Sequence, residues 1–344
     1  MKHFYFSPRF SLLAILLMFL FTPVSAQYFY HEGIAYWMTD DNTAEVSYTY
    51  GEMSGVVEIP SVVTTIVEPM YSEPYEATVT ITGVGAYAFE YCSAITEVIL
   101  PNTIRYIGSS AFYNCSSLTK INLPNSLTSI GGTAFGYTAL KSVVVPESVT
   151  DFGWNVFYSC ENLTDVTLPS KVTALNGTFM WCTALKNVII PNTVTQLNCT
   201  FKGCTSLNNI IIPGSVTLIN DEAFYRCNAL DNITCLATIP PTMYYDDCFY
   251  SQSFDIYSTA MLYVPKPSVE SYKNAEIWKL FSHINGIGEG VPGDVNGDNE
   301  VNIADVNAII SMILSDEYSE AGDINGDGEV NIADVNAVIN IILS

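Results

Sequence analysis

Two stretches near the C-terminal end repeat one alternation of oxygen-bearing side chains: Asp294–Asp305 reads DVNGDNEVNIAD and Asp323–Asp334 reads DINGDGEVNIAD. Calcium takes about six to eight oxygen ligands, and a twelve-residue loop supplies them from positions 1, 3, 5, 7, 9 and 12. In the first loop these are Asp294, Asn296, Asp298, Glu300 (through its carbonyl), Asn302 and Asp305. In the second they are Asp323, Asn325, Asp327, Glu329 (carbonyl), Asn331 and Asp334. Position 6 needs a sharp, left-handed turn, which Gly328 adopts freely and Asn299 tolerates better than most side chains. Either loop alone also reads as a metal-free acidic turn. The in-register duplication favours two bound Ca2+ ions.

What positions the loops is legible around them. Residues 286–293, GIGEGVPG, cannot form a helix entering the first loop. After each loop an apolar pattern fits one helix face: Val306, Ile309, Ile310 and Ile313, then Val335, Val338, Ile339 and Ile342. Each unit is therefore a loop with an exiting helix. This half-EF-hand duplication, over residues 293–344, resembles a type I dockerin, the small all-α module that plugs secreted proteins into cohesin domains. The resemblance implies a cohesin-type partner, contacted by loop positions 10 and 11, here Ile303, Ala304, Ile332 and Ala333. These pairs are identical in both copies, so the resemblance also implies docking in either of two orientations. Asp rather than Glu at position 12 departs from EF-hands but is shared by dockerins. The first positions of the two loops are only 29 residues apart, which shortens the linking segment.

Upstream lies an internal repeat. Phe89, Phe112, Phe135, Phe157, Phe179, Phe201 and Phe224 recur at spacings of 22 or 23. A Leu or Ile and then a Pro follow most of them, as in AFYNCSSLTKINLPNSLTSIG at 111–131. The segment Leu-x-x-Val-x-Leu-Pro is a short strand with alternate residues inward, such as Leu163, Val166 and Leu168. No single coil buries its own apolar side, so stacked coils must share one core: a mainly β solenoid of about seven coils. The Ala-Phe-x-x-Cys start and Ile-Pro or Leu-Pro centre resemble the BspA-type leucine-rich repeat of bacterial surface and secreted proteins. The expected organisation is a signal peptide at 1–26, an N-terminal cap and first coil at 27–80 and repeats at 81–240. A C-terminal cap at 241–286, a linker at 287–292 and the dockerin at 293–344 complete it. A hairpin around Asp40-Asp41-Asn42 should cap the first coil, and Leu262–Pro265 with Tyr272, Trp278 and Phe281 the last.

Nine cysteines in an exported chain suggest disulfides. Six of them, Cys92, Cys115, Cys160, Cys182, Cys204 and Cys227, share one repeat column, while Cys199, Cys235 and Cys248 lie off it. Side chains in one column point alike from rungs roughly 4.8 Å apart, whereas a disulfide needs facing Cβ atoms about 3.8 Å apart. The column therefore reads as buried, reduced thiols, and a straight ladder does not converge on a metal.

Two rows could recognise a ligand. On the strand face, the outward position carries Ile99, Asn122, Val144, Thr167, Ile189 and Ile211, mostly apolar. Such a row marks a contact surface or merely suits strand packing. A second row carries Tyr91, Tyr113, Tyr137, Tyr158, Trp181 and Tyr225. Rings stacked there would hold sugars, or simply pack along the turns.

Lys2 and Arg9 before the apolar run Leu12–Phe21, then Val24-Ser25-Ala26, form an export signal too short to span a bilayer. Gln27 rather than Cys would begin the mature chain, which argues against lipid attachment there. The expected location is bacterial, secreted or at the cell surface, with no membrane span. Net charge is −23 and becomes −25 without Lys2 and Arg9; residues 293–344 carry eleven Asp and Glu and no Lys or Arg. That balance repels phosphate backbones and excludes nucleic acid as a partner.

Chemistry is harder to find. Past the signal only His31 and His283 remain, one in each cap, and no Gly-x-Ser-x-Gly, His-Glu-x-x-His or phosphate-cradling loop occurs. The repeats' acids vary in place and show no fixed carboxylate pair. The leading reading is a non-catalytic binding or adhesion protein. Its solenoid grips a glycan or protein and its dockerin docks to a scaffold, linked by resemblance to extracellular polysaccharide degradation. The alternatives are a polysaccharide-acting enzyme of such a complex, or a calcium-stabilised stalk without a cohesin partner.

Overall fold

The protein is represented by a computed structural model. It describes residues 28–343 apart from 41, 50–52, 68–72, 252–253, 288–293, 298–299, 316–317, 320 and 326–327. The export signal and its cleavage site lie outside the described residues, as do most of the linker, Asn299 and the position-5 acids Asp298 and Asp327. No helix among the described residues is long and apolar enough to cross a membrane. The chain forms two compact units, Met1–Cys160 and Glu161–Ser344.

The first unit opens with an antiparallel meander of Tyr28–His31, Ile34–Asp40 and Thr43–Val46. Glu32 and Gly33 both have positive φ (49° and 81°), the primed turn that matches strand twist in a tight hairpin. The expected hairpin around Asp40–Asn42 is the second turn of this meander. A further hairpin, Val62–Val67 against Tyr75–Val84, was not legible in the repeat pattern. Parallel rungs follow: Ser54–Glu58 pairs with Ala94–Ile99, which pairs with Lys120–Ile121.

The coils are held by columns. Phe89, Phe112, Phe135 and Phe157 stack ring on ring, 5.4, 5.7 and 5.6 Å apart, and are fully buried. Offset stacking and burial of so large a side chain make each Phe worth several kcal/mol, about 3–5 by truncation. The column explains why the repeat aligns on Phe. Gly108, Gly131 and Gly153 mark a second column, where a Cβ would lie 2.4, 2.4 and 2.3 Å from the preceding coil's backbone. Any side chain there would push neighbouring coils apart.

The second unit repeats the Phe stack through Phe179, Phe201, Phe224 and Phe249, at 5.7, 5.4 and 4.8 Å. Phe249 extends the column one step past the last Phe aligned in the sequence, because its coil carries a Pro-rich detour that breaks the spacing. Where the first unit has Gly, this unit has Asn176, Asn198 and Asn220, and Asn198 Nδ2 donates to Asn176 Oδ1 at 2.8 Å. The end is closed by parallel strands Asn232–Cys235, Met261–Val264 and His283–Gly286. Buried Tyr272 and Trp278 tie the cap down by donating to Ala237 O (2.7 Å) and Pro241 O (2.8 Å).

No disulfide joins any of the nine cysteines. The column thiols donate instead to the carbonyl of the preceding coil's Phe: Cys115 to Phe89 and Cys160 to Phe135 in the first unit, at 3.1 and 3.0 Å. Cys204 to Phe179 and Cys227 to Phe201 do the same in the second, both at 3.1 Å. A thiol therefore fills space as a small hydrophobe and also gives a second hydrogen bond to a carbonyl that already accepts a backbone N–H within its own coil. Burial pushes the Cys115 thiol up to about 12 and Cys160 to about 11, so both stay protonated at physiological pH.

Candidate functional site

The two acidic loops lead into helices Ile303–Ser315 and Ile332–Leu343. Both helices start by the same local chemistry. Asn302 and Asn331 cap them, each Oδ1 accepting the backbone N–H of Ala304 or Ala333 at 2.8 Å. Asp305 and Asp334, three residues on, reach back to accept the N–H of Asn302 and Asn331, both at 2.9 Å, half of a capping box. An acid in the first helical turn is also favoured by the helix dipole.

The same carboxylates close the loops. Asp305 Oδ1 accepts the N–H groups of Val295 and Asn296, at 2.8 and 3.0 Å, and Asp334 Oδ1 that of Asn325, at 3.1 Å. Position 12 is thereby brought back over positions 2 and 3. Asp294 Oδ1 accepts the N–H of Gly297 (2.8 Å), and Asp323 Oδ2 that of Gly328 (2.8 Å), which sits at φ +89° as a position-6 turn requires. Asp294, Asp305 and Asp334 are buried. Underneath, Val295, Val306, Ile309, Val335 and Val338 form the core shared by the two helices.

This arrangement suits a hard cation. The donors are all oxygen, three carboxylates are withdrawn from water, and no Lys or Arg follows Lys279 to neutralise them. Among the described residues no group of three or more His, Cys, Asp or Glu converges; each loop's position-5 acid lies outside them. The sequence reading missed the capping role of Asn302 and Asn331. With Oδ1 committed to the helix, position 9 reaches a metal most simply through water. The signal was present as Asn-x-x-Asp before each apolar run.

The helix faces come out differently from the sequence pattern. Val306 and Ile309 are buried, but Ile310 and Ile313 are exposed, as are Ile339 and Ile342. The apolar stripe is wider than two short helices can cover. The residues at positions 10 and 11 are all exposed, and Ile303 and Ile332 match at 68% and 67%.

On the repeats, Ile99, Val144 and Ile211 are exposed on their strands, and Ile189 is exposed at the matching position of a coil that forms no strand there. Asn122 interrupts the row: its amide accepts from Leu100 N (2.7 Å) and donates to Leu100 O (2.8 Å). The aromatic row is no flat platform. Tyr91, Tyr113, Tyr137 and Tyr158 meet edge to face, at interplanar angles of 81°, 83° and 79°. In the second unit Trp181 lies over Gly203, whose Cβ would meet the indole at 2.2 Å, and Lys202 and Arg226 lie over Tyr225.

The model of the BspA type leucine rich repeat region matches residues 82–198 and 175–260 in six copies, together more than half of the chain. The chain belongs to the BspA-type leucine-rich-repeat family. A second model, the type I dockerin domain, matches residues 292–343. This family member is thus a β solenoid followed by a type I dockerin, and such dockerins bind calcium and cohesin. Among solved structures, a leucine-rich repeat protein of T. pallidum is 28% identical, covering 59% of this chain and 91% of its own, with TM-score 0.49. One from Bacteroides ovatus is 25% identical, covering 76% of each chain, with TM-score 0.43. No curated protein matches the chain. Neither matched family is a catalytic domain.

Proposed function

We propose that this BspA-type protein is an exported, non-catalytic binding protein that its dockerin, holding two Ca2+ ions, docks onto a cohesin-bearing scaffold. The observation that carries the reading is the duplicated loop and helix start. Both copies fold the position-12 Asp over the loop and expose the same Ile-Ala pair. Asp294, Asn296, Asp298, Glu300 and Asp305 would hold one ion, with Asn302 through water. Asp323, Asn325, Asp327, Glu329 and Asp334 would hold the other, with Asn331 in the same role. Calcium would supply charge neutralisation and fix each loop to its helix. The solenoid then presents its strand face to a glycan or protein, and an association with extracellular polysaccharide degradation follows from the dockerin.

The test uses the full chain immobilised in calcium and exposed to a purified type I cohesin. Because the two contact pairs are equivalent, Ile303→Asp or Ile332→Asp alone should weaken capture only about twofold, by removing one of two equal modes. The double variant should abolish capture, and EDTA should elute the bound partner. Capture that survives both the double substitution and EDTA would overturn the reading.

A further inference from the structure

Within the second unit, the first acidic loop touches the C-terminal cap through Ile287. Ile287 directly follows the last cap strand, His283–Gly286, and its N–H donates to Val264 O at 2.8 Å, carrying the parallel ladder one step further. Its side chain faces the loop: a Cβ on Gly297 would lie 3.1 Å from Ile287 Cγ2. Gly297, at loop position 4, has φ +77°, a left-handed conformation that glycine adopts without strain. Its bare Cα thus seats the isoleucine methyl. The Gly297 N–H donates in turn to Oδ1 of Asp294, the position-1 acid, at 2.8 Å. A continuous path therefore runs from Val264 in the cap, through Ile287 and Gly297, to a carboxylate suited to hold the ion. The loops also differ in burial. Asp294 and Val295 are buried, whereas their counterparts Asp323 and Ile324 are only half-buried. Near-identical loop sequences do not explain that difference, so it reflects what surrounds each loop, and Ile287 is a neighbour of the first.

We propose that Ile287 is a calcium-controlled joint, which locks the dockerin to the C-terminal cap of the repeats when the first loop is loaded. The proposal rests on the reading that this loop binds calcium, and it is independent of any cohesin partner. Calcium held by Asp294 fixes the carboxylate that holds Gly297, so the seat for Ile287 is firm only in the loaded loop. By linkage, the contact favours the loaded loop by the same factor. One aliphatic contact suffices because the tether is short. Only residues 288–293 separate Ile287 from the loop, which keeps the two surfaces at high effective concentration. With the joint closed, a docked chain holds its repeats in one orientation to whatever the dockerin grips. Removing calcium releases them from it.

The test uses the full chain with spin labels at half-exposed Cys199 and at Asn340→Cys, an exposed position on the second dockerin helix, and reads their separation by pulsed electron double resonance. In Ca2+ the protein with Ile287 intact should give one narrow distance, and EDTA should replace it with a broad distribution. Ile287→Ser keeps the backbone bond to Val264 but removes the methyl, so it should give the broad distribution even in Ca2+. Ile287→Val keeps Cγ2 and should restore the narrow one. Hydrogen exchange of residues 303–315 and 332–343 separates a lost joint from a lost fold, and both helices should stay protected in Ile287→Ser with Ca2+. A broad distribution with Ile287 intact in Ca2+, over protected helices, overturns the joint and leaves calcium binding standing. A distance that stays narrow in Ile287→Ser or in EDTA does the same. Loss of helix protection in Ile287→Ser would make Ile287 part of the module's core, and also overturns the joint. Helices whose protection ignores Ca2+ and EDTA alike count against the calcium reading and the joint together.

Discussion

Replacing Asp305 by Ala removes a carboxylate that serves three backbone N–H groups, at 2.8, 3.0 and 2.9 Å, and closes a loop whose first acid is also buried. Hydrogen bonds to a charged group contribute about 1.5–3 kcal/mol each. Asn296 is exposed, so water replaces part of its bond, whereas Val295 is buried and its N–H is left without an acceptor. The net loss should be about 3–5 kcal/mol. A segment as short as residues 293–344 draws no more than about that from its own core. Asp305→Ala should therefore unfold the C-terminal module while the repeats stay intact. Asp305→Asn keeps one acceptor oxygen but loses the charge, so it should retain partial structure and lose the calcium response. The assay is hydrogen exchange of residues 294–343 in the full chain, with and without calcium. For the wild type, calcium at a hundred times its dissociation constant adds about 2.7 kcal/mol of protection. Protection in Asp305→Ala equal to wild type, in calcium, would refute the reasoning.

Two further predictions concern the thiols. In native protein at neutral pH, iodoacetamide should modify half-exposed Cys199 first and spare Cys160, Cys204 and Cys227 until unfolding, because these are fully buried and hydrogen-bonded; prompt native labelling of Cys204 would contradict the ladder. Burial raises Cys115 and Cys248 to about 12 and Cys160 to about 11, against the ordinary 9.0. The folded state thus keeps protons that the unfolded chain releases, so stability is complete below about pH 9 and falls as pH rises towards the folded values. Each thiol contributes a slope of up to about 1.4 kcal/mol per pH unit in its window. Urea midpoints should drop from about pH 8 to about pH 11 and drop less in Cys160→Ala; a flat or rising profile would show that the thiols are not held this way.

Much of this protein is written locally. The period of the Phe column and the doubled DxNGD loops are spacing signals, and spacing is enough where each coil or loop repeats the same neighbours. Burial of the Cys column follows in the same way, since stacking like on like leaves a small side chain between backbones. What the tertiary structure decided are features set by a neighbour rather than by the segment itself. Asn302 and Asn331 act as helix caps because the chain turns there, and the same residues read equally well as loop ligands. Tyr113 and Tyr137 share a column, but their edge-to-face packing, which removes a flat sugar platform, depends on the rings above and below. The stack continues to Phe249 only because the detour through Pro240 and Pro241 returns to register. Most of all, KNVII at 186–190 is as β-branched as NIII at 209–212, yet one forms no strand and the other does. A strand is a relation between two backbones, so no residue in the segment alone fixes whether its hydrogen bonds are made.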